Sequence, residues 1–401
     1  MRRPARRFFV PGAWACAVLA ACGGGESTAP RDDVVSVEVT PTASLAVGVG
    51  DTVRFVASPK DANGRPVPGA RVAWRAADGG VATLGADGLA TAVAAGTTGV
   101  TATVGSVSGS ASLEVWVPPS VSAYLPGVSY FGRRGYVEYV PGELPVIISA
   151  PHGGSETPAE IPDRTYGTTV TDSNTRETLA AVRQAFLDRT GKAPHVVISH
   201  LRRTKLDPNR EIVEAAQGSP FAENAWEEFQ GFIDLASAQV TETYGSGFYI
   251  DLHGHGHAIA RAELGYLLSA AQLNGSDAAL DAGAAEGQSS IRALSEASPL
   301  PFSALLRGPR SLGALLQAEG VASVPSPDDP GPGANEYFTG GYNTERHGSR
   351  TPGRAVSGVQ IELPFPGIRD NAASRAAFGA AVAAALETYM AEHFGFFRSP
   401  P

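Results

Sequence analysis

Hydrophobic and polar positions change rhythm three times along this chain. Residues 8–21 form one apolar run, broken only by Pro11 and Gly12. Between 34 and 117 apolar and polar side chains alternate in short stretches, as in Val35-Ser36-Val37-Glu38-Val39, Thr52-Val53-Arg54-Phe55-Val56 and Val100-Thr101-Ala102-Thr103-Val104. Period two puts one set of side chains on a buried face. With turn residues such as Asp61-Ala62-Asn63-Gly64 between the runs, it predicts the short strands of a sandwich. From 121 onward the runs become nearly continuous: 146–150, 195–199, 248–252 and 359–363 are apolar and mostly β-branched, the pattern of strands buried on both faces. Helix-period stretches separate them, over 175–190, 222–244, 277–297 and 372–394, with Asp172 and Ser173 as candidate caps for the first. The predicted architecture is a small all-β sandwich followed by an α/β domain over 121–398, its mixed or mostly parallel sheet covered by helices on both faces. The Pro, Gly and Asp concentration over 324–353 interrupts that rhythm and reads as a long active-site loop or a lid.

The first apolar run is too short for a permanent membrane span, which takes ~20 residues. Arg2, Arg3, Arg6 and Arg7 precede it and Leu19-Ala20-Ala21-Cys22 ends it. This order of basic, apolar and small residues before a Cys resembles a bacterial lipoprotein signal over 1–21, with Cys22 as the lipidated residue. Residues 22–33, rich in Gly, Ser and Pro, read as a flexible tether. The only Cys residues are Cys16 and Cys22, so no disulfide is expected and the exported domains must be stable through their cores. The expected location is the bacterial cell envelope, with the protein lipid-anchored to a membrane and facing the periplasm or exterior. The chain carries a formal charge of −9, and loss of the four signal arginines makes it more acidic still. Such a surface disfavours nucleic acid and anionic lipid headgroups as partners.

Within 34–117, the order Val39-Thr40-Pro41, Val47-Gly48-Val49-Gly50-Asp51, Val72-Ala73-Trp74 and Gly96-Thr97-Thr98-Gly99-Val100 resembles the bacterial Ig-like (Big) domains. The resemblance implies a spacer or a binder of cell-surface carbohydrate, with Trp74 as the core aromatic. Since no cluster of ionisable side chains lies here, a spacer is the expectation. Pro118-Pro119-Ser120 then makes a stiff break.

Candidate chemistry concentrates where predicted strands end. Phe248-Tyr249-Ile250-Asp251-Leu252 runs into His253-Gly254-His255-Gly256-His257, which holds three of the chain's 8 His, and 146–150 runs into Pro151-His152-Gly153-Gly154. In open α/β sheets ligands sit at strand ends. Two histidines from two strands can therefore share a metal, and a hydrolytic zinc takes three protein ligands plus an open position. Asp163 and Glu156 are the candidates for the third ligand, ahead of Glu160, while Asp251 falls on the His253 face and can orient that imidazole. Glu362 stands in an otherwise apolar strand, costly without a task. It is the candidate general base, its pKa raised by burial. Asn209, Arg210 and Arg164 are the candidates to hold a substrate, Arg210 through its planar fork on a carboxylate.

Taken in order, Ser149-Ala150-Pro151-His152-Gly153-Gly154, Asp172, Leu206-Asp207-Pro208-Asn209-Arg210, Asp251-Leu252-His253-Gly254 and Ile361-Glu362-Leu363 resemble the N-formylglutamate amidohydrolase family, related in fold to zinc carboxypeptidases and aspartoacylases. The resemblance implies zinc on His152, His253 and an acid, Glu362 as base, and Asn209 with Arg210 near the substrate carboxylate. Two functions follow as expectations. One is a zinc-dependent amidohydrolase acting on an N-acyl amino acid or small peptide that bears a carboxylate. The other is a non-catalytic surface lipoprotein that binds cell-wall or glycan material. A serine hydrolase is disfavoured, because no Gly-x-Ser-x-Gly stands at a suitable strand-to-helix turn.

Overall fold

The structure, a computed structural model, describes residues 33–397. The predicted signal, Cys22 and the tether through residue 32 lie outside the described residues. No helix among the described residues is long and apolar enough to cross a membrane.

The first domain is a sandwich of short strands: β1 (Ser36–Thr40), β2 (Ala43–Val47), β3 (Thr52–Arg54), β4 (Val56–Lys60), β5 (Ala73–Ala76), β6 (Ala82–Leu84), β7 (Leu89–Ala92), β8 (Gly96–Val104) and β9 (Val107–Trp116). They form a four-stranded sheet β2-β9-β8-β5, a three-stranded sheet β3-β7-β6 and the pair β1-β4. The alternation read from the sequence is real: Val37, Val39, Val100, Ala102, Leu113 and Val115 turn inward. Trp74, however, is only half-buried at the edge of this core, and the fully enclosed aromatic is Phe55. The backbone of Gly88, at φ +80°, crosses so close that a Cβ there would lie 2.4 Å from the Phe55 carbonyl oxygen. Only glycine suits both the positive φ and that approach.

The second domain is built on one sheet of eight strands: β10 (Tyr130–Phe131), β11 (Val137–Val140), β12 (Val146–Ala150), β13 (His195–Ser199), β14 (Gly247–His255), β15 (Ala262–Gly265), β16 (Ser323–Val324) and β17 (Val356–Pro364). Their order is β10-β11-β13-β12-β14-β17-β15-β16. The central four, β13-β12-β14-β17, run parallel, and antiparallel pairs flank them on both sides. Along β12, β14 and β17 successive residues serve opposite faces. Ile148, Ile250, Leu252, Val359 and Ile361 pack under the helices Thr175–Thr190 and Ala372–Phe394. On the other face Ile147, Val197 and Tyr249 pack under the helix Pro220–Tyr244. Each such aliphatic side chain contributes roughly 1.5–3 kcal/mol by leaving water, so the two-sided burial fixes the register.

Two predicted helical stretches differ. Residues 277–297 divide into Asp277–Leu280, a 3-10 turn at Glu286–Gln288 and Arg292–Ala297. Gly283, at φ +90°, turns the chain between the first two pieces. Asp172 and Ser173 do not cap Thr175–Thr190; its N-cap is Asn174 in the left-handed region, and no side chain caps the helix.

The sandwich is joined to the second domain by more than its linker. Leu45 belongs to the second domain's apolar core. Arg133, 1% exposed, donates to both oxygens of Glu114 on β9 (2.7 and 2.6 Å) and to both oxygens of Glu160 (2.6 and 3.0 Å). The Phe221 ring lies 4.7 Å from its guanidinium carbon. A planar, permanently charged fork suits this double bidentate pairing, which a lysine could not reproduce. Arg133→Met leaves Glu114 and Glu160 facing each other with only the exposed Arg134, 3.2 and 3.5 Å from their oxygens, to balance them. We predict a loss of about 3–5 kcal/mol, the usual cost of removing one partner from a buried pair. Denaturant unfolding of the exported chain checks it: an unchanged midpoint would show that the clamp contributes nothing to stability.

Candidate metal centre

The register of the central strands sets the site. β14 and β17 pair with His253 opposite Glu362, and β17 pairs with β15 with Glu362 opposite Glu263. β12 brings Ser149 opposite Asp251. Residues opposite one another share a face of the sheet, so at the ends of these strands one face carries a row of ionisable groups.

Two imidazoles meet there. The rings of His152 and His253 have centroids 4.7 Å apart and are 1% and 2% exposed. His152 Nδ1 lies 3.3 Å and His253 Nδ1 3.2 Å from the same atom, Asp172 Oδ2. The opposite nitrogens are also held by carboxylates: His152 Nε2 lies 2.6 Å from Asp207 Oδ1, and His253 Nε2 lies 2.7 Å from Asp251 Oδ2. Each imidazole therefore has an acidic oxygen at both nitrogens. A neutral imidazole carries one N–H and can satisfy only one of them. Protonating both rings would place two cations side by side in a buried site. A divalent cation held by His152, His253 and Asp172 would remove that conflict, leaving Asp207 and Asp251 each to accept an Nε2 proton. This is the common arrangement of a metal-bound histidine oriented by a carboxylate. Two nitrogens and one oxygen also match the donor set of hydrolytic zinc.

The carboxylates are themselves anchored. Asp251 accepts from Ser149 Oγ at 2.5 Å, and Ser149 in turn contacts Tyr249 OH at 2.7 Å. Asp207 accepts from Arg203 Nε at 2.9 Å and from the Asn209 backbone at 3.1 Å. Asp172 Oδ2 accepts from the Gly254 backbone at 3.2 Å. Burial alone would raise all three carboxyls, yet each is held below the usual range, Asp172 by His152 and His253, Asp207 by His152 and then Arg203, Asp251 by His253. Burial opposes charge on His253 as well, but Asp251 and Asp172 outweigh it and raise its pKa well above normal.

Glu362 behaves oppositely. It is 4% exposed, and its Oε1 accepts from Gln360 Nε2 at 2.9 Å. Burial lifts its carboxyl; His253 opposes the shift while Asp172 and Glu263 add to it, and the pKa stands at about 7. Asn209 is fixed by the Asn343 backbone N–H on its Oδ1 (2.8 Å), with its Nδ2 3.3 Å from His253 Nε2. Arg210 is a third exposed, donates to the Asn209 carbonyl at 2.7 Å and lies 3.3 Å from Glu214.

His152, His253, Asp251, Glu362 and Asn209 are thus brought together as the sequence predicts. The two acids predicted as third ligand are not. Asp163 is 69% exposed and ion-paired to Lys205 at 2.8 Å. Glu156 is exposed, its backbone tied to His200 and Arg202 across an isolated bridge beside Leu201. The enclosed guanidinium of Arg164 donates to the Thr168 and Arg203 carbonyls and lies 3.8 Å from Asp207. Asp172 is the acid that stands between the two imidazoles, because the loop after His152 returns to hydrogen-bond the Asp172 N–H to the His152 carbonyl at 3.1 Å. Arg203 and Asp207 are the other groups whose role sequence reasoning missed. Both stood within the basic stretch after β13, and the signal was an acid flanked by arginines.

The glycines beside the histidines do not open ligand space. A Cβ on Gly254 would lie 2.2 Å from the buried guanidinium of Arg369, and one on Gly153 2.5 Å from Thr175 Oγ1. His255 and His257 lie outside the centre. His255 Nε2 faces the Arg261 carbonyl (2.9 Å) while its Nδ1 accepts from the His257 backbone (3.1 Å), and with His257 and Glu263 it forms a second group whose ligand atoms lie within 4.8 Å of one another. His257 pairs with Glu263 at 2.8 Å and stacks on Phe338. The 324–353 segment is tied down rather than free at these points: the Phe338 N–H reaches Glu263, Tyr337 OH reaches the Leu264 carbonyl, and Asn343 is buried.

Residues 33–115 match the family model of the Bacterial Ig-like domain (group 2). No curated protein matches the chain. Among solved structures, the chain is similar to N-formylglutamate amidohydrolase from Ralstonia eutropha JMP134, at 12% identity over 65% of this chain and 98% of that one, with a TM-score of 0.41. A gene product of Agrobacterium tumefaciens aligns at 13% identity over 64% and 96% of the two chains, TM-score 0.37. Domains 4 and 5 of the S-layer protein SbsC align with 21% of this chain and 53% of theirs, at 19% identity and TM-score 0.20.

The geometry makes the third ligand testable. Asp172→Asn should release the metal from protein purified with about one zinc per chain, whereas Asp163→Asn and Glu156→Gln should retain it. Asp207→Asn and Asp251→Asn should weaken zinc by about 10–100-fold. Elemental analysis and chelator competition read these outcomes. Full zinc occupancy in Asp172→Asn would overturn the assignment.

Proposed function

We propose that this chain is an exported zinc-dependent amidohydrolase that cleaves the amide bond of an N-acyl amino acid or small peptide with a carboxylate near the scissile bond. The reading rests on one observation: two buried imidazole Nδ1 atoms share Asp172 Oδ2 while Glu362 stands in register with His253. A zinc ion held by His152, His253 and Asp172 would polarise the substrate carbonyl and acidify the attacking water.

The chain's own groups supply the rest. Glu362, with its pKa raised to about 7, is ionised in an appreciable fraction at neutral pH and still basic enough to take a proton from water and return it to the leaving amine. Gln360 keeps its carboxylate oriented through the 2.9 Å hydrogen bond. Asn209 and Arg210 offer an amide and a guanidinium for the substrate carboxylate, and Arg210 is the more exposed of the two. With His152, His253, Asn209 and Glu362 all nearly enclosed, the site suits a small substrate. Lipid attachment at Cys22 and location in the cell envelope rest on the N-terminal sequence, and an Ig-like module agrees with a surface setting.

Glu362→Gln should lower kcat by about 10²–10⁴, the usual contribution of a positioned acid–base group, with zinc content unchanged. In the parent enzyme kcat/KM should rise with pH along an acidic limb centred far above the ordinary glutamate range, because only ionised Glu362 accepts the proton. Turnover in Glu362→Gln equal to the parent's, measured on a panel of N-acyl amino acids and dipeptides, would remove Glu362 from the mechanism. Arg210→Met should reduce kcat/KM by about 10–100-fold, as expected for one lost charged hydrogen-bonding partner. The loss should disappear when the substrate carboxylate is replaced by an amide.

A further inference from the structure

In the second domain the large apolar side chains that water reaches are confined to one edge of the sheet. Past residue 131 the described residues of this kind are Tyr166, Val170, Val213, Ile259, Phe338 and Phe365. Five of them lie in the connections that leave the C-terminal ends of the parallel strands: 151–174 after β12, 200–219 after β13, 256–261 after β14 and 365–371 after β17. Phe338 joins them from the 324–353 segment by stacking on His257, with ring centroids 4.7 Å apart. Among the described residues, the outer faces of the long helices and the connections at the opposite edge carry none. Single exposed apolar residues are ordinary on a protein surface, whereas a set gathered at one place marks a binding site. C-terminal strand ends are also where open α/β sheets hold ligands.

These side chains border the groups of the metal centre. Val170, 72% exposed, gives its carbonyl to Arg203 Nη1 at 3.3 Å, and that nitrogen lies 3.6 Å from Asp172 Oδ1. Val213, 73% exposed, stands three residues after Arg210, and its carbonyl accepts from Tyr166 OH at 3.3 Å. The Phe338 N–H donates to Glu263, which lies opposite Glu362 across β15 and β17. Phe365 follows Glu362 by three residues, its ring 5.4 Å from the Arg369 guanidinium carbon. From the connection after β13 to the one after β17 the set spans three strand spacings, about 14 Å. That is longer than any one amino-acid side chain.

We propose that the substrate of this site is an N-acyl amino acid with a long alkyl acyl chain, whose tail lies across this rim while its amide enters the enclosed centre. The proposal rests on the amidohydrolase reading for the amide and adds what stands beside it. The oxygen of water bonds to the acyl carbon, the C–N bond breaks and a water proton ends on the leaving amine, giving a fatty acid and a free amino acid. An alkyl chain requires contact and no hydrogen bonds. An extended peptide of that length would need a row of main-chain partners, and the strands below this rim, β13, β12, β14 and β17, are all interior to the sheet, without an unpaired edge.

Hydrolysis of the acetyl, octanoyl and dodecanoyl derivatives of alanine and of glutamate by the zinc-loaded exported chain, below micelle-forming concentrations, tests it. We expect kcat/KM to rise with chain length, at least about tenfold from acetyl to dodecanoyl, well under the roughly fourfold per methylene that complete burial would give. Val170→Ser and Phe338→Ser should each lower the dodecanoyl-to-acetyl ratio about threefold or more, as expected for part of one lost apolar contact. Damage to the fold would instead cost both substrates alike. Turnover that does not depend on chain length, or an unchanged ratio in either variant, would overturn the proposal and leave the hydrolase reading standing. Chain-length independence together with Phe338-dependent binding to phosphatidylglycerol vesicles would assign the rim to a membrane instead. If no derivative is turned over, the hydrolase reading falls and calorimetry decides on the rim. Binding of dodecanoyl-glutamate about tenfold tighter than acetyl-glutamate, weakened in Phe338→Ser, would keep the alkyl site, and equal or absent binding would remove it.

Discussion

The arrangement on which the second domain depends is a pair of buried imidazoles, each held between two carboxylates. Asp172 lies between His152 and His253, while Asp207 and Asp251 hold the outer nitrogens. Carboxylates this deep are tolerable only when paired or coordinated. Here they are paired with groups that cannot be fully satisfied in their neutral form. The protein has thus assembled, from four separate segments, an environment whose hydrogen bonding a cation held by His152, His253 and Asp172 would complete.

The sheet makes this possible at low cost to the fold. Its central strands are apolar on both faces over most of their length, and the ionisable groups come only where β12, β14 and β17 run out on one face. Asp251, His253, Gln360 and Glu362 share that face, while Leu252, Ile361 and Leu363 face the opposite core. Glu362 bears the largest unrelieved burden in the row. Lifting its pKa from 4.5 to about 7 corresponds to roughly 3 kcal/mol against its ionised form. Burial is the chief cause of that penalty, and under the proposed mechanism it would leave Glu362 basic enough to take a proton near neutrality.

Much of this was legible in the sequence because it rests on local pattern. The strands at 146–150 and 195–199 and the helices at 175–190 and 372–394 fall where apolar periodicity places them. His152, His253 and Glu362 were legible because polar residues interrupt runs that should be buried. Asp172 was read as a helix cap because its sequence position, just before a helix, is where caps occur. Its actual partner depends on a loop that carries the chain away from His152 and back, and no spacing rule encodes that return. The glycines beside the two histidines answer to equally distant neighbours. Gly153 and Gly254 are small because Thr175 and Arg369 pack against them, and those neighbours come from distant parts of the chain. The Ala-rich stretch over 277–297 had helical composition, but Gly283 and buried Leu280 and Ile291 let tertiary packing divide it.

The Ig-like domain, expected as a spacer, is held by Arg133 as part of a larger unit. A flexible spacer has no reason to bury a guanidinium between a carboxylate of its own last strand and one from the neighbouring domain, since desolvating those charges is costly unless every donor is used. Four of the five guanidinium N–H groups of Arg133 reach Glu114 and Glu160, and its backbone N–H reaches Glu228 at the same boundary. The main chain of Arg133 thereby anchors Glu228 on the helix Pro220–Tyr244, so the guanidinium and its own backbone tie the sandwich, the Glu160 segment and that helix together at one point.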